Sequence, residues 1–275
     1  MTGGRRVAGS RPPAPVVVIA IVGLLVFFVA PLAGLLQRAP WGDLWSTLTS
    51  SDVRTALRLS LECSLAATGL SMLFGLPIAW LLARTEFRGK SIVRAVALLP
   101  LVLPPVVGGV ALLYAFGRTG LVGQYLFRWF DLTLPFTTRG VIIAETFVAM
   151  PFLIITVEAA LRSLDTRYED AAATLGASRW TVLRRVTLPS IAPSLAAGAA
   201  LTWARALGEF GATITFAGNF KGVTQTMPLA VYLALEVDPG SAVVLSIVLL
   251  TVSVAVLALV GRRAFGTRPI GAAAA

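Results

Sequence analysis

Long apolar runs alternate with short polar interruptions along this chain, and the run lengths predict its elements. Val16 to Leu36 is an unbroken apolar run of 21 residues, enough for a helix to cross the hydrocarbon of a bilayer. It exceeds the core of a signal peptide and lacks a small-residue cleavage site, which predicts a retained first span. Residues 37–55 read as interfacial. Trp41 and Trp45 suit the headgroup boundary, and Asp43, Asp52 and Arg54 need water. Further spans are predicted over residues 56–82, 92–116, 139–161, 190–217 and 228–260, which makes about six. The chain divides into an N-tail at 1–15, a membrane domain at 16–260 and a C-tail at 261–275.

Several spans carry irregularities. The third contains Pro100, Pro104 and Pro105, followed by Gly108 and Gly109. Proline removes a helix donor and kinks the axis. A break at membrane depth survives where it is packed in protein or lines a wet cavity; a kink for packing alone accounts for the same residues. Met150-Pro151 predicts an interruption of the fourth span. The fifth is dense in small residues from Ala192 to Ala200, which permit close helix approach. Glu236, Asp238, Pro239 and Gly240 predict a break in the sixth.

The most polar internal stretch is Tyr168 to Leu195, which overlaps a loop at about 163–189. Ala171, Ala172, Ala173 and Leu175 predict a short helix, and Gly176 a turn that a residue with a Cβ resists. Trp180, Leu183 and Val186 lie at helical spacing among Arg179, Arg184 and Arg185. Pro189 and Pro193 then predict a stop and a fresh helix. The layout describes a knob with small residues for close approach, a bulky anchor and a charged rim. It suits either a docking element or an amphipathic linker lying on the bilayer.

Composition narrows the class. Hydrophobic residues are 57% of the 275 and charged ones 13%, about half the charge of a soluble domain, so the chain is an integral membrane protein. The net charge of +10 would suggest nucleic acid in a soluble protein; here its distribution matters, and no nucleic-acid partner is expected. With six spans and both termini on one side, that side holds fifteen of the 23 Lys and Arg residues and the other seven, with Arg205 inside a span. The basic excess predicts cytoplasmic termini and a cytoplasmic knob. There is no histidine and a single cysteine, Cys63, so an intrachain disulfide, a His metal site and a His-based catalytic triad are all excluded. Nothing resembles a phosphate loop; if ATP is used, another chain binds it.

The spacing Asp170-Ala171-Ala172, three residues, Gly176, nine residues, Val186-Thr187-Leu188-Pro189 resembles the EAA loop of ABC importer permeases. Asp170 stands at the family's Glu position, with Glu169 beside it. The resemblance implies an all-α, polytopic fold of the type I ABC importer class. It implies that Glu169, Asp170, Ala171, Ala172, Gly176, Trp180, Leu188 and Pro189 couple to a separate ATPase. It also implies a homodimer, two cytoplasmic ATPase subunits that hold the ATP and Mg, an extracytoplasmic oxyanion-binding protein and no catalysis on this chain. The location implied is the cytoplasmic membrane of a prokaryote.

Thr202 to Met227 is the second informative stretch. Arg205 and Glu209 stand four apart, which places them on one helical face where they can pair. Ionised groups in a span usually face the bundle interior or water. Either the segment lines a path for an oxyanion, with Thr213 and Thr215 continuing toward the exit, or the pair is a brace. The brace suits Arg205 better; the path suits the segment as a whole. The run ARALGEFGATITFAGNFKGVTQTMPLAVY resembles molybdate permeases, a branch that includes tungstate carriers, and its first part is shared with sulfate and thiosulfate permeases. The resemblance implies molybdate as the substrate; the residues read as bordering its path are Arg205, Glu209, Thr213, Thr215, Pro104 and Pro105. A membrane enzyme would need converging catalytic groups, whereas Glu62, Glu145, Glu158 and Glu236 scatter over different spans. A secondary transporter would be supported by inverted repeats, and none is evident.

Overall fold

The structure, a computed structural model, describes residues 14–264. The N-tail and the end of the C-tail therefore lie largely outside the described residues. Among the described residues every regular element is helical.

Among the described residues, five helices are long and apolar enough to cross a bilayer. The first, α1 (Ala14–Gln37), has its apolar faces exposed along nearly its whole length. A short α2 (Leu44–Thr49) follows, and Ser50 caps α3 (Ser51–Arg84) by accepting from the Val53 amide at 3.4 Å. The second span thus begins five residues before the expected Ala56, because the cap lies in the wet segment.

The third expected span is two helices, α4 (Lys90–Val102) and α5 (Pro105–Phe116). Each residue before a proline is driven to extended backbone. Leu103 has ψ 132° and Pro104 ψ 133°, and Pro105 then opens α5. An amphipathic α6 (Gly123–Phe130) leads to α7 (Thr138–Ser163).

Pro151 does not interrupt α7, contrary to expectation. Leu153 and Ile154, fully buried beside it, pack against α3 and against the helix after the knob, and this packing holds the axis despite one lost donor. α3 and α7 run in the same direction, since Arg162 near the end of α7 donates to the Leu82 carbonyl near the end of α3 at 3.2 Å. Their shared core contains Ala79, Leu82, Leu153, Ile154, Val157 and Leu161. In lipid this contact gains from dispersion and close fit, since leaving lipid brings no hydrophobic gain. Gly75 sits against Leu153 and Met150, where an added Cβ would lie 3.3 Å from each.

The knob contains α8 (Arg167–Thr174) and α9 (Arg179–Val182). The expected proline stop after it is absent. α9 passes through a π turn (Leu183–Thr187) directly into α10 (Leu188–Leu207). The Leu188 amide reaches back to the Leu183 carbonyl, five residues away, and Pro189, which has no amide hydrogen, stands next in α10 without ending the helix.

The fifth span is shorter than expected. It breaks at Gly208–Phe210, and a separate α11 (Gly211–Ala217) packs against α5 and α7. The sixth divides at Asp238 into α12 (Met227–Val237) and α13 (Pro239–Ala264), as its Pro-Gly pair leads one to expect.

Candidate coupling loop and translocation segment

α8 starts where Asp165 accepts from the Arg167 amide at 3.0 Å. It ends in a complete Schellman motif. The Ala177 amide donates to the Ala172 carbonyl at 3.0 Å, and the Gly176 amide to the Ala173 carbonyl at 2.9 Å. Gly176 adopts φ +82°. Nothing lies within 4 Å of where its Cβ would be, so glycine is required for conformation and not for space. Ser178 then caps α9 by accepting from the Thr181 amide at 3.2 Å.

Neither α8 nor α9 contains a buried residue. Tyr168, Leu175 and Trp180 are 65%, 88% and 68% exposed, so three large apolar side chains project from a polar element. Asp170, Ala171, Gly176 and Pro189 are also exposed, and Ala172 partly so. Two of the expected coupling residues turn the other way. Leu188 packs on the α3–α7 core. Glu169 faces inward: its Oε1 accepts from Arg84 Nη2 at 3.1 Å and from the Thr187 hydroxyl at 2.6 Å. Arg84 is no part of the expected site and Thr187 stands in the loop's motif without a role of its own; 85 and 18 residues separate them from Glu169, and no local pattern predicts either contact. At the same end of the bundle, Glu158 receives Arg94 and, at 3.0 Å, Arg162. In the neighbouring loop the Lys90 ammonium bonds Glu86 at 2.6 Å and holds its carboxyl below the usual range.

The candidate translocation segment is built around two helix breaks that meet. A Cβ on Gly211, at the start of α11, would lie 2.8 Å from Pro105 Cβ. One on Gly109 would lie 2.6 Å from the Thr215 hydroxyl and 2.8 Å from the Ala212 carbonyl. Discontinuous helices of this kind are where membrane transporters commonly place their contacts. Arg205 and Glu209 do pair, Nη2 to Oε2 at 2.6 Å, but at the end of α10 and not within a continuous helix. The other oxygen of Glu209 accepts from the Ala212 amide at 2.8 Å and caps α11. Glu209 is 1% exposed and Arg205 28%. Pro104 and Pro105 are exposed at the break. Thr213 is fully buried, and Thr215 donates to the Gly211 carbonyl of its own helix. Thr224, Gln225 and Thr226 are buried as well, with the Thr224 hydroxyl accepting from the Phe220 amide at 2.9 Å.

The model of the binding-protein-dependent transport system inner membrane component family matches residues 75–268. The chain belongs to this family. It is accordingly a multi-pass inner-membrane transport component. Among relatives of this permease family, the molybdenum transport system permease protein ModB of Mycobacterium tuberculosis is 48% identical over 92% of this chain and 93% of its own. The Escherichia coli K12 protein of that name is 41% identical over 74% and 89%. The sulfate transport system permease protein CysT of Escherichia coli K12 is 34% identical over 92% and 93%. A solved bacterial ABC transporter involved in import of the acidic polysaccharide alginate superposes with a TM-score of 0.69 over 94% of this chain and 95% of that one, at 23% identity. The permease thus shares the ABC importer fold.

Proposed function

We propose that this permease is the membrane subunit of an ATP-driven molybdate importer. The observation that carries the reading is the exposed apolar face of Tyr168, Leu175 and Trp180 on a Gly176-turned knob, in a chain nearly half identical to a molybdenum permease. Three exposed large apolar side chains on one charged-rimmed element call for a protein partner. In this reading two copies form a homodimer with the path between them. Two cytoplasmic ATPase subunits, which hold ATP and Mg, dock on the knobs. An extracytoplasmic binding protein delivers the oxyanion. Both termini are cytoplasmic, and the chain performs no chemistry of its own.

The driving force must come from differential contacts of the ATPase with two states of the permease. In this reading the exposed Pro104–Pro105 break and Arg205, 28% exposed beside its partner Glu209, border the path, where weak contacts let an ion leave as readily as it enters. The test is uptake of labelled molybdate into cells lacking their own carrier, complemented with this chain and its neighbouring ATPase and binding protein. Uptake blocked by tungstate but not by sulfate is expected. The 34% identity with a sulfate permease supports a second reading: uptake of sulfate instead would move the substrate to that branch. No ATP-dependent anion uptake would overturn the permease reading.

A further inference from the structure

Two adjacent carboxylates open α8, and they face opposite ways. Asp170 is exposed, whereas the Glu169 side chain is 17% exposed and turned toward the bundle. Oε1 of Glu169 receives Arg84 at 3.1 Å and Thr187 at 2.6 Å. Arg84 is the last residue of α3, with a side chain 15% exposed. Thr187, fully buried, ends the π turn. One oxygen therefore joins α8 to the end of a core helix and to the start of α10. A second junction lies at the same end, where Arg162 bonds both Glu158 and the Leu82 carbonyl. Both junctions terminate on the last turn of α3.

We infer that Glu169 is a positioning residue, the tie that makes the knob move as one body with α3 and α10, and not part of the surface that meets the ATPase. The inference rests on the ATPase-docking reading of the knob. α8 buries no residue of its own, so apolar packing transmits little of its displacement. Beyond the chain connections at either end, the Glu169 junction carries the force. It is charge-assisted and partly shielded from solvent, which makes it stronger than an exposed pair. The π turn is a point where a helix yields. With Thr187 held, a push on the knob enters α10; with Thr187 released, the turn absorbs it. The Arg84 Nε is buried without a partner, and among the described residues Glu169 is the one acceptor of this guanidinium.

The test uses the permease assembled with its ATPase in liposomes, with the loaded binding protein added. In Glu169→Ala and in the volume-preserving Glu169→Gln the ATPase should still co-purify with the permease. Stimulation by loaded binding protein should fall about tenfold, as loss of a hydrogen bond to a charged group implies. Exchanging the charges, Arg84→Glu with Glu169→Arg, should recover most of the stimulation. In the permease alone, backbone amides of residues 167–174 should exchange with deuterium about tenfold faster in Glu169→Ala, a readout that involves no ATPase. Wild-type stimulation in both variants would overturn the inference. So would loss of the ATPase from the complex with exchange of α8 unchanged, which would place Glu169 in the docking surface. A wild-type complex with no stimulated ATPase would overturn the docking reading itself, and the exchange difference would still decide the tie.

Discussion

Gly109→Ala should destabilise the permease. The new Cβ would meet the Thr215 hydroxyl at 2.6 Å, Thr215 Cβ at 2.7 Å and the Ala212 carbonyl at 2.8 Å. Real Cβ contacts are longer than 3.0 Å, so something must move. A rotamer change at Thr215 removes only the hydroxyl clash. Its Cβ and the Ala212 carbonyl belong to the backbone frame of α11, so the whole short helix must shift from α5. Overpacking of this kind costs about 1–3 kcal/mol. Gly69 on α3 is the control, since nothing lies within 4 Å of its Cβ position. There alanine should be neutral or stabilising by about 0.5–1 kcal/mol, through its better helix propensity. The assay is thermal unfolding of the purified permease in detergent, followed by loss of the folded elution peak. The two variants should shift the midpoint in opposite directions or, for Gly69→Ala, not at all. Equal midpoints for Gly109→Ala and wild type would refute the claim that the α5–α11 contact holds the two breaks together.

Gly176→Ala forces a Cβ into φ +82° and should cost about 1–2 kcal/mol of local stability. Limited proteolysis within the knob should report it while the bundle's thermal midpoint stays put. Arg205→Ala strips the partner from a carboxylate that is 1% exposed. It should destabilise by about 3 kcal/mol, and Arg205→Ala with Glu209→Gln should recover part of that loss in the same unfolding assay. Leu175→Ala and Trp180→Ala change side chains 88% and 68% exposed, so each should leave the midpoint within about 0.5 kcal/mol of wild type while reducing ATPase co-purification. The depressed carboxyl of Glu86, bonded by Lys90, stabilises the loop at pH values above the ordinary carboxylate range. That contribution fades as pH falls through the folded value. Glu86→Gln should therefore lower stability slightly at pH 6–8, where the ion pair is intact, and converge on wild type in acid below the folded value.

The sequence by itself determined the class, the number and order of apolar segments, and the knob. Each follows from local or periodic information. Twenty apolar residues cross a bilayer in any context, a Pro-Pro pair breaks a helix through its own rings, and a glycine after an apolar helical face closes it with a Schellman turn. The resemblance of Asp170-Ala171-Ala172 to Pro189 and of Ala204 to Tyr232 rests on such fixed spacings. Only the tertiary structure decided the rest. Pro151 left α7 unbroken because buried neighbours on two other helices supported it, whereas Gly208–Phe210, with no proline, broke the fifth span because Glu209 caps a new helix and Gly211 fits against Pro105. Thr213 and Thr215 read as path residues by composition, yet which face of α11 is buried depends on α5 and α7. The same holds for Glu169. Beside Asp170 it looked like a second docking charge, and the fold turned it inward onto Arg84 and Thr187. Side-chain direction at that position is set by contacts 85 and 18 residues away in sequence, and no periodicity along the chain encodes a partner at such distances.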